Sequence, residues 1–521
     1  MTVKYILPLF SLILLLSCAG QSQESAYSQL GLEEITIQEL SEKYSDGSLS
    51  AREVIEAYLG RIDEIDRNGP GLNSIITVND NALAIADSLD AERNNGNLRG
   101  KLHGIPILLK DNIDTDDMPT TAGSRFLEGS IPPNDAFIVS KLKEQGAIIL
   151  GKTNLSEWAN FHSNFSSSGW SALGGQVRNP YELSRNPCGS SSGSAVAAAA
   201  NLAAITIGTE TNGSIVCPAN ANGIVGLKPT VGLWSRTGII PISYNTDSAG
   251  PMARNVHDAA ILLGALAAVD PDDELTHAAE DHIYEDYTQF LNRDGLDGKR
   301  IGFYKAPLGN HFRVDTLMYQ TIRQLEDLGA TIVEIDEISQ ENIGADAFQV
   351  LLYEFKDGVD KYLASLNNDE IVNSMEELAE QVRNTPEETE KFDRNLIFIS
   401  SEKGGLDSEE YQEALERMQR YTRKEGIDRV MDEHNLDAIV SPTGSPAWKT
   451  DLTLGDNFKL SSSSPSARAG YPIITLPMGS IDGLPVGVSF FGRAWSEQVL
   501  LEIAYSFEQN TGHRIIPEFR E

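Results

Sequence analysis

The chain has 521 residues, with 41 Lys and Arg against 76 Asp and Glu and a formal net charge of −35. That leaves few cations to neutralise phosphates, so it disfavours nonspecific nucleic-acid binding and speaks mainly for a solvated acidic surface. The length suits two or three average domains, or one large α/β unit. In chain order, the first element is an export signal over residues 1–17. Lys4 precedes an apolar run from Tyr5 to Leu16 that is too short for a comfortable membrane span. Leu15-Leu16-Ser17-Cys18 resembles a bacterial lipobox, in which the cysteine becomes the lipidated first residue. An ordinary signal or an uncleaved anchor is the alternative. Residues 18–30, polar from Gln21 to Gln29, suit a flexible tether. This reading makes the protein an exported lipoprotein of the cell envelope, periplasmic or outer-membrane attached, with only its lipid in the membrane.

The rest of the chain, residues 31–521, reads as one α/β unit. Thr36 to Tyr44 and Ser50 to Ile65 are predicted helices, and Thr36-x-x-Glu39 and Ser50-x-x-Glu53 fit capping boxes. Asn81 to Asn94 is a third, with Ala82, Ile85, Ala86 and Leu89 on one face. Ile105 to Leu109 fits a fully buried strand that ends at Lys110. A lysine there can lose basicity by burial, and a neutral amine is a competent base. Ala147 to Leu150 is another buried strand. It lies inside GAIILGKT, which matches the bare P-loop pattern, but an apolar strand cannot wrap a phosphate, so the match is chance. Trp158, Phe161, Phe165 and Trp170 follow and are expected mainly in the core.

Pro187 to Ala219 holds two serine-bearing loops, PCGSSSGSA and GTETNGSIVCPA. Between them Ala195 to Ile207 reads as a small-residue helix running into a buried strand. Gly-rich loops of this kind present unpaired backbone N–H groups that can stabilise an oxyanion. Alternating strand and helix signals from Ile105 to Ile240 favour a mixed sheet with helices around it. Beyond Asp270, Arg300 to Ala306 and Ala330 to Ile335 read as strands around a helix from Leu317 to Leu328. Ala347 to Asn367 and Ser408 to Glu433 read as charged helices within a variable region, 339–433. Leu436 to Thr443 returns to strand, and Ser461 to Ser466 is a Ser-rich loop. Of the three cysteines, Cys18 is assigned to lipidation. Cys188 and Cys217 flank the two serine loops. An oxidising compartment would allow them to pair, but two buried apolar thiols is the preferred expectation.

These segments resemble the amidase signature family, which cleaves amides with a Ser–cis-Ser–Lys triad. The family pattern PGGSSGGS stands here as PCGSSSGS, and GxDxGGSIRxPA as GTETNGSIVCPA. The resemblance aligns Lys110 with the family base, Ser190 with the bridging serine and Ser214 with the nucleophile, and the separation 214 − 190 = 24 agrees with family spacing. TTAGS from Thr120, GKTNLSEWANF from Gly151, AGPMAR from Ala249 and the C-terminal GYPIITLPMG extend it from about residue 31 to the end. It implies the amidase signature fold, an α/β fold with a central mixed sheet flanked by helices on both faces. The variable helical region would cover the active-site side. Cys188 and Ser192 replace two family glycines, Asn212 stands where many relatives have Gly or Asp, and Val216 where many have Arg. GSIVCPA and GWSALGGQVRNPY resemble the peptide amidase branch, whose preferred substrate is the C-terminal carboxamide of a peptide.

On that resemblance Ser214 attacks the carbonyl and Ser190 passes its proton to neutral Lys110. The relay in reverse protonates the leaving amine, and water hydrolyses the acyl-enzyme. Backbone N–H groups of Thr211, Asn212, Gly213 and Ser214 form the oxyanion hole, each worth about 3 kcal/mol of barrier. Taken singly, Ser214 also fits a turn serine, Ser190 a helix N-cap and Lys110 a surface ion pair. His103 is expected to be structural. No metal-ligand spacing and no GxGxxG occurs, so no cofactor and no metal is expected. The other readings are a fatty-acid or aryl amide amidase, a tRNA-dependent amidotransferase A-type subunit with partner subunits, and a non-catalytic binding lipoprotein. Oligomeric state is not legible.

Overall fold

Thr36 and Ser50 open their helices as the capping boxes require. Each side chain accepts from the N–H three residues on, and Glu39 and Glu53 return the bond. The helices run Ile37–Ser45 and Ala51–Arg61, and the second passes into a π-helical turn, Ile62–Arg67. A computed structural model describes residues 26–339, 341–368 and 371–521. Residues 1–25, with the expected signal, Cys18 and the first part of the expected tether, lie outside them; the end of the tether is not flexible chain but a short helix, Ala26–Gln29, with Tyr27 buried.

Thirteen strands occur among the described residues. They are β1 (Ile75–Val78), β2 (Pro106–Lys110), β3 (Ile148–Thr153), β4 (Trp170–Ser171), β5 (Gly175–Gln176), β6 (Ile205–Glu210), β7 (Val225–Lys228), β8 (Ser248–Ala253), β9 (Arg300–Tyr304), β10 (Thr331–Ile335), β11 (Ala438–Pro442), β12 (Ile473–Ile481) and β13 (Leu484–Phe491). β4 and β5 pair alone, and the other eleven form one sheet in the order β1-β3-β2-β6-β8-β7-β12-β13-β11-β9-β10. β2 is parallel to β3 and β6, and β9 to β10 and β11; every other pairing is antiparallel. The expected mixed sheet flanked by helices is therefore present. Its central strands β2, β3, β6, β7 and β8 are buried along their whole length because helices exclude water from both faces.

The expected long helix over Ser408 to Glu433 is broken. Glu409–Thr422 and Asp428–His434 are separated by a π-helical turn, because Gly426 takes non-helical angles (φ −115, ψ −109). Helices Gly344–Ser365, Met375–Asn384 and Asn395–Ser401 build a separate apolar cluster with Trp158 and Phe161. Both aromatics meet Phe355 edge-on. Trp170 is half-buried and stacks on His162. Phe165 departs from expectation: it is 69% exposed.

Candidate active site

Leu109 of β2 lies opposite Ile207 of β6 in parallel register. Lys110 and the loop after Glu210 therefore leave the sheet at the same edge, the carboxyl end where parallel sheets present their sites. Lys110 is fully buried. Its Nζ donates to Ser190 Oγ at 2.8 Å, to Thr209 Oγ1 at 2.8 Å and to the Thr209 carbonyl at 3.2 Å. No carboxylate forms an ion pair with it among the described residues. Burial pulls its pKa down to about 7 despite the opposing charges of Asp247 and Glu210. The amine is thus substantially neutral at neutral pH.

The serines of the first loop look alike in sequence but have different partners. Ser191 Oγ donates to the Thr209 carbonyl, Ser192 Oγ to the Cys188 carbonyl and Ser194 Oγ to the Ile207 carbonyl. Ser190 is the one that meets Lys110, and the Gly189–Ser190 peptide is cis. The Ser190 carbonyl accepts from the Ser156 N–H at 3.1 Å. The helix Ser192–Ala199 starts here, and Gly193 lets it in: a Cβ there would meet the Ser74 carbonyl oxygen at 2.2 Å.

The Ser191 N–H donates to the Ser214 carbonyl at 3.1 Å, which brings the second loop against the first. The N–H groups of Ile215 and Val216 are taken by Glu210 Oε2 at 2.8 and 3.0 Å. Those of Thr211, Asn212, Gly213 and Ser214 have no acceptor among the described residues. Gly213 turns the loop at φ +84. The Asn212 side chain faces away from this N–H row. It accepts from Ser463 Oγ at 2.7 Å and donates to Ser464 Oγ at 3.2 Å. Asn212 thus holds the turn to the Ser-rich loop.

Cys188 and Cys217 form a disulfide with Cα atoms 5.9 Å apart. This corrects the expectation of two thiols. The helix Ser192–Ala199 and β6 run out and back, so cysteines separated by 29 residues meet at the ends of one hairpin-like unit.

The histidines serve elsewhere. His103 bonds the Leu89 carbonyl through Nε2 and accepts from the Arg99 N–H at Nδ1. His162 is buried beside Trp170, and burial holds its pKa well below the usual range. In GAIILGKT, Lys152 is buried on β3 and donates to the Ile113 and Pro119 carbonyls and to Thr120 Oγ1. The segment is strand, as expected, and not a phosphate loop.

Residues 53–501 match the sequence model of the Amidase family. The chain belongs to that family and is an amide hydrolase. A probable amidase of Arabidopsis thaliana is 39% identical over 99% of this chain and 97% of its own. The A-type subunit of a glutamyl-tRNA(Gln) amidotransferase from Thermoanaerobacter pseudethanolicus is 35% identical over 91% of this chain and 96% of its own. Among solved structures, the native peptide amidase of Stenotrophomonas maltophilia superposes with a TM-score of 0.90 at 46% identity, over 94% of this chain and all of that one.

In this amidase a cavity of about 840 Å³ opens over Asn112, Thr209, Thr211 and Asp247, with Gly358 and Tyr362 on its far wall. Four of its residues escaped the sequence reading. Thr209 receives Lys110, and Asn112 Nδ2 donates to Thr209 Oγ1 at 3.0 Å. Thr211 Oγ1 donates to Asp247 Oδ1 at 2.6 Å, and burial raises the Asp247 pKa to about 6. Tyr362 donates to Asp114 at 2.9 Å, tying the variable helices to the loop after Lys110. Thr209 stood inside a motif already singled out, and Asn112 two residues past Lys110. Nothing in sequence marks Asp247 or Tyr362.

Proposed function

We propose that the protein hydrolyses C-terminal carboxamides of peptides through a Ser214–Ser190–Lys110 relay. The observation that carries this reading is the buried Lys110 amine, bonded to Ser190 and free of any carboxylate. Ser214 Oγ attacks the amide carbonyl, and its proton passes through Ser190 to Lys110. The N–H groups of Thr211, Asn212, Gly213 and Ser214 receive the oxyanion. The C–N bond then breaks, Lys110 returns the proton through Ser190 to the departing nitrogen, and ammonia leaves. Water attacks the ester at Ser214 by the same relay and frees the acid.

The likeness to peptide amidase structures over their full length supports the substrate class. The likeness to amidotransferase subunits is lower in identity, and the net charge of −35 disfavours a tRNA partner. Ammonia release from peptide amides, fatty-acid amides and benzamide tests the reading. Release from the peptide amides, abolished in Ser214→Ala, is the expected result. Release from lipid or aryl amides alone would overturn the peptide assignment.

We further propose that Cys18 is lipidated and the enzyme works in the cell envelope. The Cys188–Cys217 disulfide supports an oxidising compartment. Radiolabelled fatty acid should enter the wild type and not Cys18→Ser.

A further inference from the structure

A second cavity, of about 190 Å³, adjoins the Ser214 loop. Thr211 and Asn212 form one wall, and Phe348, Leu351 and Met418 form the other. Thr211 and Asn212 belong to the loop that carries Ser214, so this space lies beside an amide bound there. Arg468 is the one charged side chain on these walls among the described residues.

Arg468 is half-buried, yet the described residues give it neither an ion pair nor a hydrogen bond. Other shielded arginines have acceptors: Arg236 has Asp273, Arg394 has Glu157 and Arg514 has Glu34, while Arg254 and Arg423 have backbone carbonyls. Burial lowers the Arg468 pKa, as it must for a cation with no counter-charge, and only the Tyr304 hydroxyl opposes this. On its other side Arg468 borders a cavity whose carboxylates, Asp336, Glu337 and Glu341, stand beyond ion-pair distance from it. Gly344, on the wall of the cavity beside the Ser214 loop, is the first residue of a 22-residue helix whose positive end cannot compensate a guanidinium. The backbone that carries Arg468 is tied to the Ser214 loop. Its helix, Ser464–Ala469, starts at the serines that hold Asn212.

A desolvated guanidinium without a partner is matched by a carboxylate, which accepts two parallel bonds from its planar fork. We propose that Arg468 determines specificity by binding a carboxylate on the acyl portion of the substrate, such as an acidic side chain next to the residue that bears the carboxamide. This inference rests on Ser214 as the nucleophile.

The test compares N-acetyl-Glu-Phe amide with N-acetyl-Gln-Phe amide. Wild type is expected to favour the Glu peptide in kcat/KM by roughly tenfold or more. Arg468→Met should bring the ratio to about one, and Arg468→Lys should keep part of the preference. A wild-type ratio of one, or a ratio unmoved by Arg468→Met, overturns the inference. Calorimetric binding of both peptides to Ser214→Ala separates this from the catalytic reading. A Glu preference in binding that Arg468→Met abolishes upholds the inference even where turnover fails, and equal binding of the two peptides overturns it.

Discussion

Lys110 and Lys152 lie at the carboxyl ends of adjacent parallel strands, one step apart in register, and both are fully buried. Their surroundings differ. Lys110 meets two hydroxyls and a carbonyl, with Asp247 and Glu210 acting only at a distance. Lys152 meets two carbonyls and a threonine, with the buried carboxylates of Asp111 and Asp114 close enough to act on it as charges. Burial alone therefore does not make a base. In the proposed relay a route for the proton does, and of the two lysines Lys110 is the one bonded to Ser190. Lys152 instead gathers the turn from Ile113 to Thr120.

The sharpest way to break this comparison is to remove each amine. Lys110→Met should lower kcat/KM on the order of 10⁴-fold while the protein keeps its melting temperature. Lys152→Met should do the reverse. It strands buried carboxylates and should cost about 3–5 kcal/mol of stability by denaturant titration, with activity per folded molecule far less affected. Equal losses of activity in both variants would erase the distinction.

A finer test is the pH profile. Lys110 must be neutral to accept a proton, so kcat/KM should rise with pH and level off above about 7. Stability should move in the same direction. The folded amine is less basic than the unfolded one, so the unfolded chain holds the extra proton between about pH 7 and pH 10.5, and folding gains as pH rises through that window. The wild-type profile minus that of Lys110→Met isolates this gain from the other buried groups. The smallest expected effect belongs to Asn212→Ala, which frees the Ser214 loop from Ser463 and Ser464. It should cost about 1 kcal/mol of stability and lower kcat by several-fold with little change in KM.

The features legible in sequence were those carried by local pattern. The capping boxes at Thr36 and Ser50, the buried strand ending at Lys110 and the paired serine loops each show in a short window. What escaped depends on where side chains point. The resemblance picks Ser190 from the four serines of the first loop, but not the physical difference: Ser190 accepts from Lys110, while Ser191, Ser192 and Ser194 donate to backbone carbonyls. The side chain of Asn212 takes its role only from the Ser-rich loop, some 250 positions on, which gives it partners. Cys188 and Cys217 pair because a helix and a strand fold back on each other. Arg468 is conspicuous only through missing partners, which no linear reading reveals.

The Cys188–Cys217 bond closes residues 188 to 217 into a covalent ring. Ser190, Ser214 and all four N–H groups of the oxyanion loop belong to that ring; Lys110 does not. In the proposed relay the base therefore reaches the nucleophile only when β2 docks against β6, the one ring strand in the sheet. Turnover is then a direct gauge of that strand pairing. A chain whose ring is closed but whose β2 has slipped by one residue would show Lys110 to the opposite face and carry a complete, silent serine pair.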